Sequence, residues 1–82
     1  MTREQVYQRV VAIIQEEKGE DFQVQPELTL ADNIAADSVE IMEFVLNLED
    51  DFEVDVPDAA IERFETLSDI VDFIWSQLKE RS

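Results

Sequence analysis

The chain has 82 residues, of which 21 are acidic and six are basic, and its formal net charge is −15. This length accommodates a single domain over residues 1–82, and the negative charge excludes binding to the phosphate backbone of nucleic acid and stable association with an anionic membrane. Because the chain contains no cysteine and no histidine, thiolate nucleophiles, sulfur-ligated zinc and imidazole bases are excluded, and any chemistry must use hydroxyls, carboxylates or an attached group.

The first predicted element is a helix from about Arg3 to Glu17. Thr2 and Gln5 have the spacing of a capping box, and Gly19 follows the last turn, where glycine commonly ends a helix. At about 100° per residue, four apolar side chains share the face that would pack on the core: Val6, Val10, Ile13 and Ile14.

The segment from Glu20 to Asp37 shows no clean periodicity, and Pro26 interrupts it. We expect a long loop with a short turn near Leu30–Asn33. The loop should be ordered and packed over the core, because apolar residues recur along it: Phe22, Val24, Leu28, Leu30 and Ile34.

Three further helices are predicted in the second half of the chain. One runs from Ser38 to Phe52, with Asp37 or Ser38 as its N-cap, and a short one runs from about Ala59 to Phe64. Thr66 begins the last helix, with Asp69 as its capping-box partner. With 45% hydrophobic residues, one Gly and two Pro, the composition suits an all-α fold. The prediction is a small antiparallel four-helix bundle with a short third helix and a long first loop.

The helix from Ser38 to Phe52 carries two apolar stripes, which is more apolar surface than one core contact requires. The core stripe comprises Ile41, Phe44, Val45, Leu48 and Phe52. The second, which we call the outer stripe, is turned from it by about 120° and comprises Val39, Met42 and Leu46. Either the outer stripe is buried against a second neighbouring helix, or it is a docking patch for a basic partner, because acids frame it: Glu43, Glu49 and Asp50.

The distribution of charge favours the docking interpretation. Residues 37–65 contain eleven acids and one base, so about a third of the chain holds −10 of the net −15. A surface made acidic only for solubility would not be so uneven.

A calcium-binding loop is a further interpretation of the same region. Asp51, Glu53, Asp55 and Glu62 fall at positions 1, 3, 5 and 12 of an EF-hand loop. However, Val56 occupies the position that requires glycine for the sharp turn. We therefore disfavour an EF-hand, although weak divalent binding by the acids would relieve their repulsion.

Ser38 lies where the long loop meets the most acidic helix. It is either a plain helix cap or a reactive hydroxyl. Since the chain has no histidine to activate a serine nucleophile, another protein would have to carry out any chemistry on it.

The run Ala36-Asp37-Ser38-Val39-Glu40-Ile41-Met42-Glu43-Phe44-Val45 resembles the Asp-Ser-Leu motif of the acyl carrier proteins. The similarity continues through Leu48-Glu49-Asp50-Asp51-Phe52, Val56-Pro57-Asp58 and the segment from Thr66 to Ile74. Departures from the family pattern are Val39 for the usual leucine, Ala35 for a common glycine, and Asn47 for a small residue.

This resemblance implies that Ser38 is esterified by a 4′-phosphopantetheine arm, which a separate phosphopantetheinyl transferase attaches, and that Asp37 helps to position Ser38. The thiol of the arm would hold acyl chains as thioesters, which can also withdraw between the helices past a mobile third helix. The chain would then be a carrier and not an enzyme. Its partners would be fatty acid synthase enzymes with basic patches, which would meet the outer stripe and the surrounding acids: Val39, Glu40, Met42, Glu43, Leu46, Glu49, Asp50 and Glu62.

We expect a cytoplasmic monomer, because no apolar run approaches membrane-spanning length and the first residues lack a secretory signal. The leading hypothesis is a free-standing carrier of dissociated fatty acid synthesis. A carrier of other cargo, such as a D-alanyl carrier or a discrete polyketide or peptide carrier, is the nearest alternative. An acidic adaptor in which Ser38 is only a helix cap is the alternative from a different class.

Overall fold

The computed structural model describes residues 2–30 and 37–81, with Ser38 and Arg81 described through their backbone only. The four helices of this part are α1 (Arg3–Lys18), α2 (Ser38–Phe52), α3 (Asp58–Arg63) and α4 (Leu67–Arg81). Within it no β-strand forms, and an isolated bridge joins Thr29 to Thr66. The predicted all-α class, with a short third helix and a long first loop, is confirmed.

The first helix forms as its sequence predicts. The hydroxyl of Thr2 accepts a hydrogen bond from the backbone N–H of Gln5 at 3.2 Å, and the Gln5 side chain accepts one from the Thr2 N–H at 2.9 Å. This capping box satisfies two N–H groups that the first turn leaves without helical partners. The helix ends one residue later than predicted, at Lys18, and Gly19 follows it with φ of 106°, where a side chain would be strained.

A single apolar cluster fills the centre of the bundle. The predicted core stripe of α2 lies in this cluster, with Phe44, Val45, Leu48 and Phe52 buried and Ile41 half-buried. The predicted face of α1 and the apolar face of α4 meet it there, and each fully buried aliphatic side chain contributes about 1.5–3 kcal/mol to stability. Their buried members are Val6, Val10, Ile13, Ile14, Leu67, Ile70, Val71 and Ile74.

The long loop is ordered over its described part because backbone hydrogen bonds attach it to the start of α4. The N–H of Leu30 donates to the carbonyl of Glu65, and the N–H of Leu67 donates to the carbonyl of Leu28. The N–H of Ser68 donates to the carbonyl of Pro26. The last two bonds occupy N–H groups in the first turn of α4 that have no helical partner. The turn predicted near Leu30–Asn33 falls mostly outside the described residues.

Short links position α3 between α2 and α4. The residue after α2 is Glu53, a non-glycine in the left-handed conformation with φ 56° and ψ 45°. Helix α3 begins at Asp58, one residue earlier than predicted, and none of its residues is buried. At the start of α4, the carboxylate of Asp69 accepts hydrogen bonds from the N–H groups of Glu65 and Thr66, as expected for a capping partner.

Polar contacts join α1 to the other long helices. Arg3 donates to Asp72 on α4, and Arg9 donates through two nitrogens to both carboxylate oxygens of Asp51 on α2. Asn47, which departs from the family pattern, donates to the Glu17 carboxylate at 3.0 Å. Over residues 2–30 and 37–81, no helix has the length and apolar character needed to cross a membrane.

Candidate functional site

The start of α2 shows which of the two candidate residues caps the helix. Asp37 has extended backbone angles, and its Oδ1 accepts a hydrogen bond from the backbone N–H of Glu40 at 2.9 Å. Its carbonyl accepts one from the N–H of Ile41 at 3.2 Å. Asp37 is therefore the N-cap, and Ser38 is the first residue inside the helix.

The outer stripe is exposed to solvent. The exposed fractions are 66% for Val39, 47% for Met42 and 55% for Leu46. The interpretation that α2 buries this stripe against a second neighbouring helix is therefore wrong. Core side chains on the same helix, such as Leu48 with 1% exposure, show that burial on α2 is confined to the core stripe.

The acids expected around the stripe do not share one environment. Glu40, Glu43 and Asp50 are exposed along α2, and Glu62 is exposed on α3. Glu49 is half-buried, and its Oε2 accepts a hydrogen bond from the backbone N–H of Val56 at 3.3 Å. Three of the exposed acids thus share the helix that carries the outer stripe, whereas Glu49 also accepts a hydrogen bond from the link to α3.

The C-terminal end of α2 carries an unfavourable charge arrangement. Glu49, Asp50 and Asp51 lie near this end, and its last turn contains no basic residue. The carbonyl groups at a helix C-terminus carry partial negative charge, so acids there are destabilising and cations are stabilising. A basic partner would relieve this repulsion.

Asp51 is compensated within the chain. The hydrogen bond that Arg9 donates lowers the pKa of Asp51 below its ordinary value, although partial burial opposes the shift. The same hydrogen bond raises the pKa of Arg9. Asp51 is thus turned towards α1.

The geometry does not assemble the EF-hand considered from the sequence. Asp51, which would be the first ligand, is in contact with Arg9, and the N–H of Val56 is bonded to Glu49. Among the residues that the structure describes, no three acids lie together in a way that could hold a metal ion.

A groove that sequence analysis missed lies between α3 and α4. Its volume is about 440 Å³, and its lining includes Ala60, Phe64 and Phe73. The rings of Phe64 and Phe73 meet edge to face, with centroids 5.7 Å apart. Both residues can be recognised in the sequence as apolar, but the groove depends on the angle between two helices, which periodicity does not specify.

Comparisons with known proteins agree with this arrangement. A family model described as the phosphopantetheine attachment site matches residues 8–74. The acyl carrier protein of Thermotoga maritima is 38% identical over 78 residues, which cover 94% of this chain and 96% of that protein.

Solved structures show the same similarity. The acyl carrier protein from Enterococcus faecalis aligns with a TM-score of 0.75 and 44% identity, and the alignment covers 94% of this chain and 99% of that chain. A Toxoplasma-specific mitochondrial acyl carrier protein aligns with a TM-score of 0.80 and 30% identity, covering 93% and 90% of the two chains.

The family match covers most of the chain, and the alignment with the Thermotoga protein extends over nearly the whole length of both proteins. The cofactor of this chain is therefore covalently attached 4′-phosphopantetheine, and the role of the chain is that of a carrier. The chain belongs to the acyl carrier protein family.

Proposed function

We propose that this chain carries acyl intermediates of dissociated fatty acid biosynthesis as thioesters on a 4′-phosphopantetheine arm attached to Ser38. The observation that carries the proposal is the exposed outer stripe, which begins at Val39, directly after that serine, and is accompanied by exposed acids. A folded domain of this size has little reason to expose three large apolar side chains on one helix unless a partner covers them.

The start of α2 fits attachment at Ser38. Asp37 already caps the helix, so the cap does not explain the serine. Asp37, Val39 and Glu40 are all exposed, which leaves room for a transferase to approach and for an attached arm to extend. When bound, the arm supplies the thiol that the sequence lacks.

The outer stripe and its acids form the proposed docking surface. Val39, Met42 and Leu46 supply apolar contact area, while Glu40, Glu43 and Asp50 attract basic groups. Glu62 extends the acidic surface onto α3. The transferase and the synthase enzymes would bind this surface in turn through basic patches, and the chain itself would catalyse no step.

Acyl chains require a place in the fold as well as a point of attachment. Helix α3 has no buried residue and no side-chain N-cap, so it is the wall of the bundle that opens at the lowest cost. We place the carrier in the cytoplasm as a monomer.

Intact mass spectrometry tests attachment directly. After incubation with coenzyme A and a promiscuous phosphopantetheinyl transferase, the chain should gain the mass of one arm. Ser38→Ala should abolish the gain, and the matched control Ser76→Ala, at an exposed serine of α4, should retain it. Absence of any gain in the unmodified chain would refute the carrier proposal and support an acidic adaptor.

A second measurement identifies the cargo. Fatty acyl thioesters on the chain isolated from cells would support a role in fatty acid synthesis. A D-alanyl, polyketide or peptidyl thioester would instead refute the cargo proposal while leaving attachment at Ser38 intact.

A further inference from the structure

Glu49 differs from the other acids expected to meet partners. It is half-buried, whereas Glu40, Glu43 and Asp50 are exposed. Its carboxylate accepts a hydrogen bond from the N–H of Val56, seven residues further along the chain, at 3.3 Å. The contact therefore leaves α2 and reaches the link that leads to α3.

The backbone of Glu49 holds the same link. Its carbonyl accepts hydrogen bonds from the N–H groups of Glu53 and Val54, the latter at 3.3 Å. Glu53 has the left-handed conformation, which a side chain disfavours. Main-chain and side-chain oxygens of one residue thus bind three N–H groups of a link whose geometry needs support.

The link in turn helps to set where α3 lies. No residue of α3 is fully buried and Pro57 provides no side-chain cap for it, although Ala60 and Ile61 pack against the core. Val54 and Val56, by contrast, are buried in the core just before α3 begins. A contact that fixes the backbone around Val56 therefore also restrains the start of α3, and with it the exposed Glu62.

We infer that Glu49 is a positioning residue whose carboxylate anchors the α2–α3 link and so sets the place of Glu62 relative to the outer stripe. The basic groups of partners would then bind at Glu43 and Asp50 and not at Glu49, in contrast to the role that the family resemblance implies for it. The docking half of this inference rests on the proposed function, whereas the anchoring half does not.

Two substitutions separate the acceptor from the charge. Glu49→Gln keeps an oxygen that can accept the Val56 N–H but removes the charge, and Glu49→Met keeps a side chain of similar length without a strong acceptor. Glu43→Gln and Glu43→Met are matched controls at an exposed acid of the same helix.

The first readout is amide hydrogen exchange of the unmodified protein, measured by NMR. Exchange at Val56, taken relative to the buried Leu48, should be about tenfold faster in Glu49→Met, because a partly buried N–H loses its partner. It should change less than about twofold in Glu49→Gln and in both Glu43 variants. Unchanged exchange at Val56 in Glu49→Met would overturn the inference.

The second readout is kcat/KM for transfer of the arm by a phosphopantetheinyl transferase. Glu43→Gln should lower it several-fold, and Glu49→Gln should leave it within about twofold of the wild type. Equal losses in the two Gln variants would show that Glu49 is a docking acid and would overturn the inference. If no variant accepts the arm but exchange at Val56 changes as expected, the proposed function fails and the anchoring role stands.

Discussion

The N-cap of α2 provides a sharp test of how the start of this helix is held. The Oδ1 of Asp37 accepts the Glu40 N–H at 2.9 Å, a normal hydrogen-bond length. Asp37→Ala removes this acceptor and leaves the rest of the helix unchanged. Asp37→Asn keeps an acceptor at the same position, because Asn and Asp are about equally good N-caps.

The expected loss follows from the capping bond. Replacement of an N-cap Asp by Ala costs about 1 kcal/mol of unfolding free energy. In a domain of this size that loss lowers the melting temperature by about 4–8 °C. For Asp37→Asn, the favourable interaction of a negative charge with the helix N-terminus is lost, but repulsion from the other acids also falls. Because these effects oppose each other, we expect a change below about 0.5 kcal/mol.

Thermal and urea unfolding followed by circular dichroism measures both variants, and hydrogen exchange at the Glu40 amide localises the effect. If Asp37→Ala unfolds like the wild type, the cap contributes nothing to stability. If Asp37→Asn loses as much as Asp37→Ala, the charge and not the hydrogen bond is responsible. Asp37→Asn should keep Ser38 at the first helical position. Slower arm transfer in this variant would therefore show that the Asp37 carboxylate helps to position Ser38 for transfer, separately from its role as the cap.

Three further outcomes follow from burial and charge. Leu48→Ala, at a core position with 1% exposure, should lower the unfolding free energy by about 2–5 kcal/mol. Leu46→Ala, at 55% exposure, should change it by less than about 0.5 kcal/mol but lower kcat/KM for arm transfer. Because Arg9 lowers the pKa of Asp51 in the folded state, their contact stabilises the fold above the unfolded pKa of about 4 and is lost as pH falls through the folded pKa. The difference in unfolding free energy between the wild type and Arg9→Gln should therefore become smaller in acid. The corresponding difference for the exposed control Arg63→Gln should not. Finally, since the net charge is −15, added salt should screen repulsion between the acids and raise the melting temperature. A melting temperature that does not change with salt would show that the acids are too far apart to repel one another appreciably.

Helical periodicity predicted the long helices because the apolar residues that repeat every 3.6 positions are the ones that a helix buries in the core. The faces of α1 and α4 that repeat every 3.6 residues are the faces that lie in the core, and the predicted limits of α1 and α3 differ from the structure by one residue at one or both ends. The ends depend on individual capping bonds, which several neighbouring residues can make. Asp37 and Ser38 are both good N-caps by residue type, and only the backbone angles and hydrogen bonds of the folded chain distinguish them.

The remaining features depend on contacts between elements far apart in sequence. The attachment of the loop to α4 uses backbone groups such as the Leu30 N–H and the Glu65 carbonyl, which every residue except proline possesses. Asn47, which departs from the family pattern, likewise donates a hydrogen bond to Glu17. This contact can be recognised only once α1 and α2 are known to be adjacent. Exposure of the outer stripe is the same kind of fact, because it depends on whether another helix of the described part packs against it, and none does.

The acids of α2 are best understood as a compromise between stability and recognition. Asp51 has a compensating base in Arg9, and Glu49 has a backbone donor in Val56. Asp50 lies between them, exposed at the helix end where a negative charge is least favourable. A sequence selected for stability alone would place lysine or arginine there. Under the proposed function, a basic partner that covers the outer stripe would relieve this repulsion on docking, so the acids would favour binding at the expense of stability.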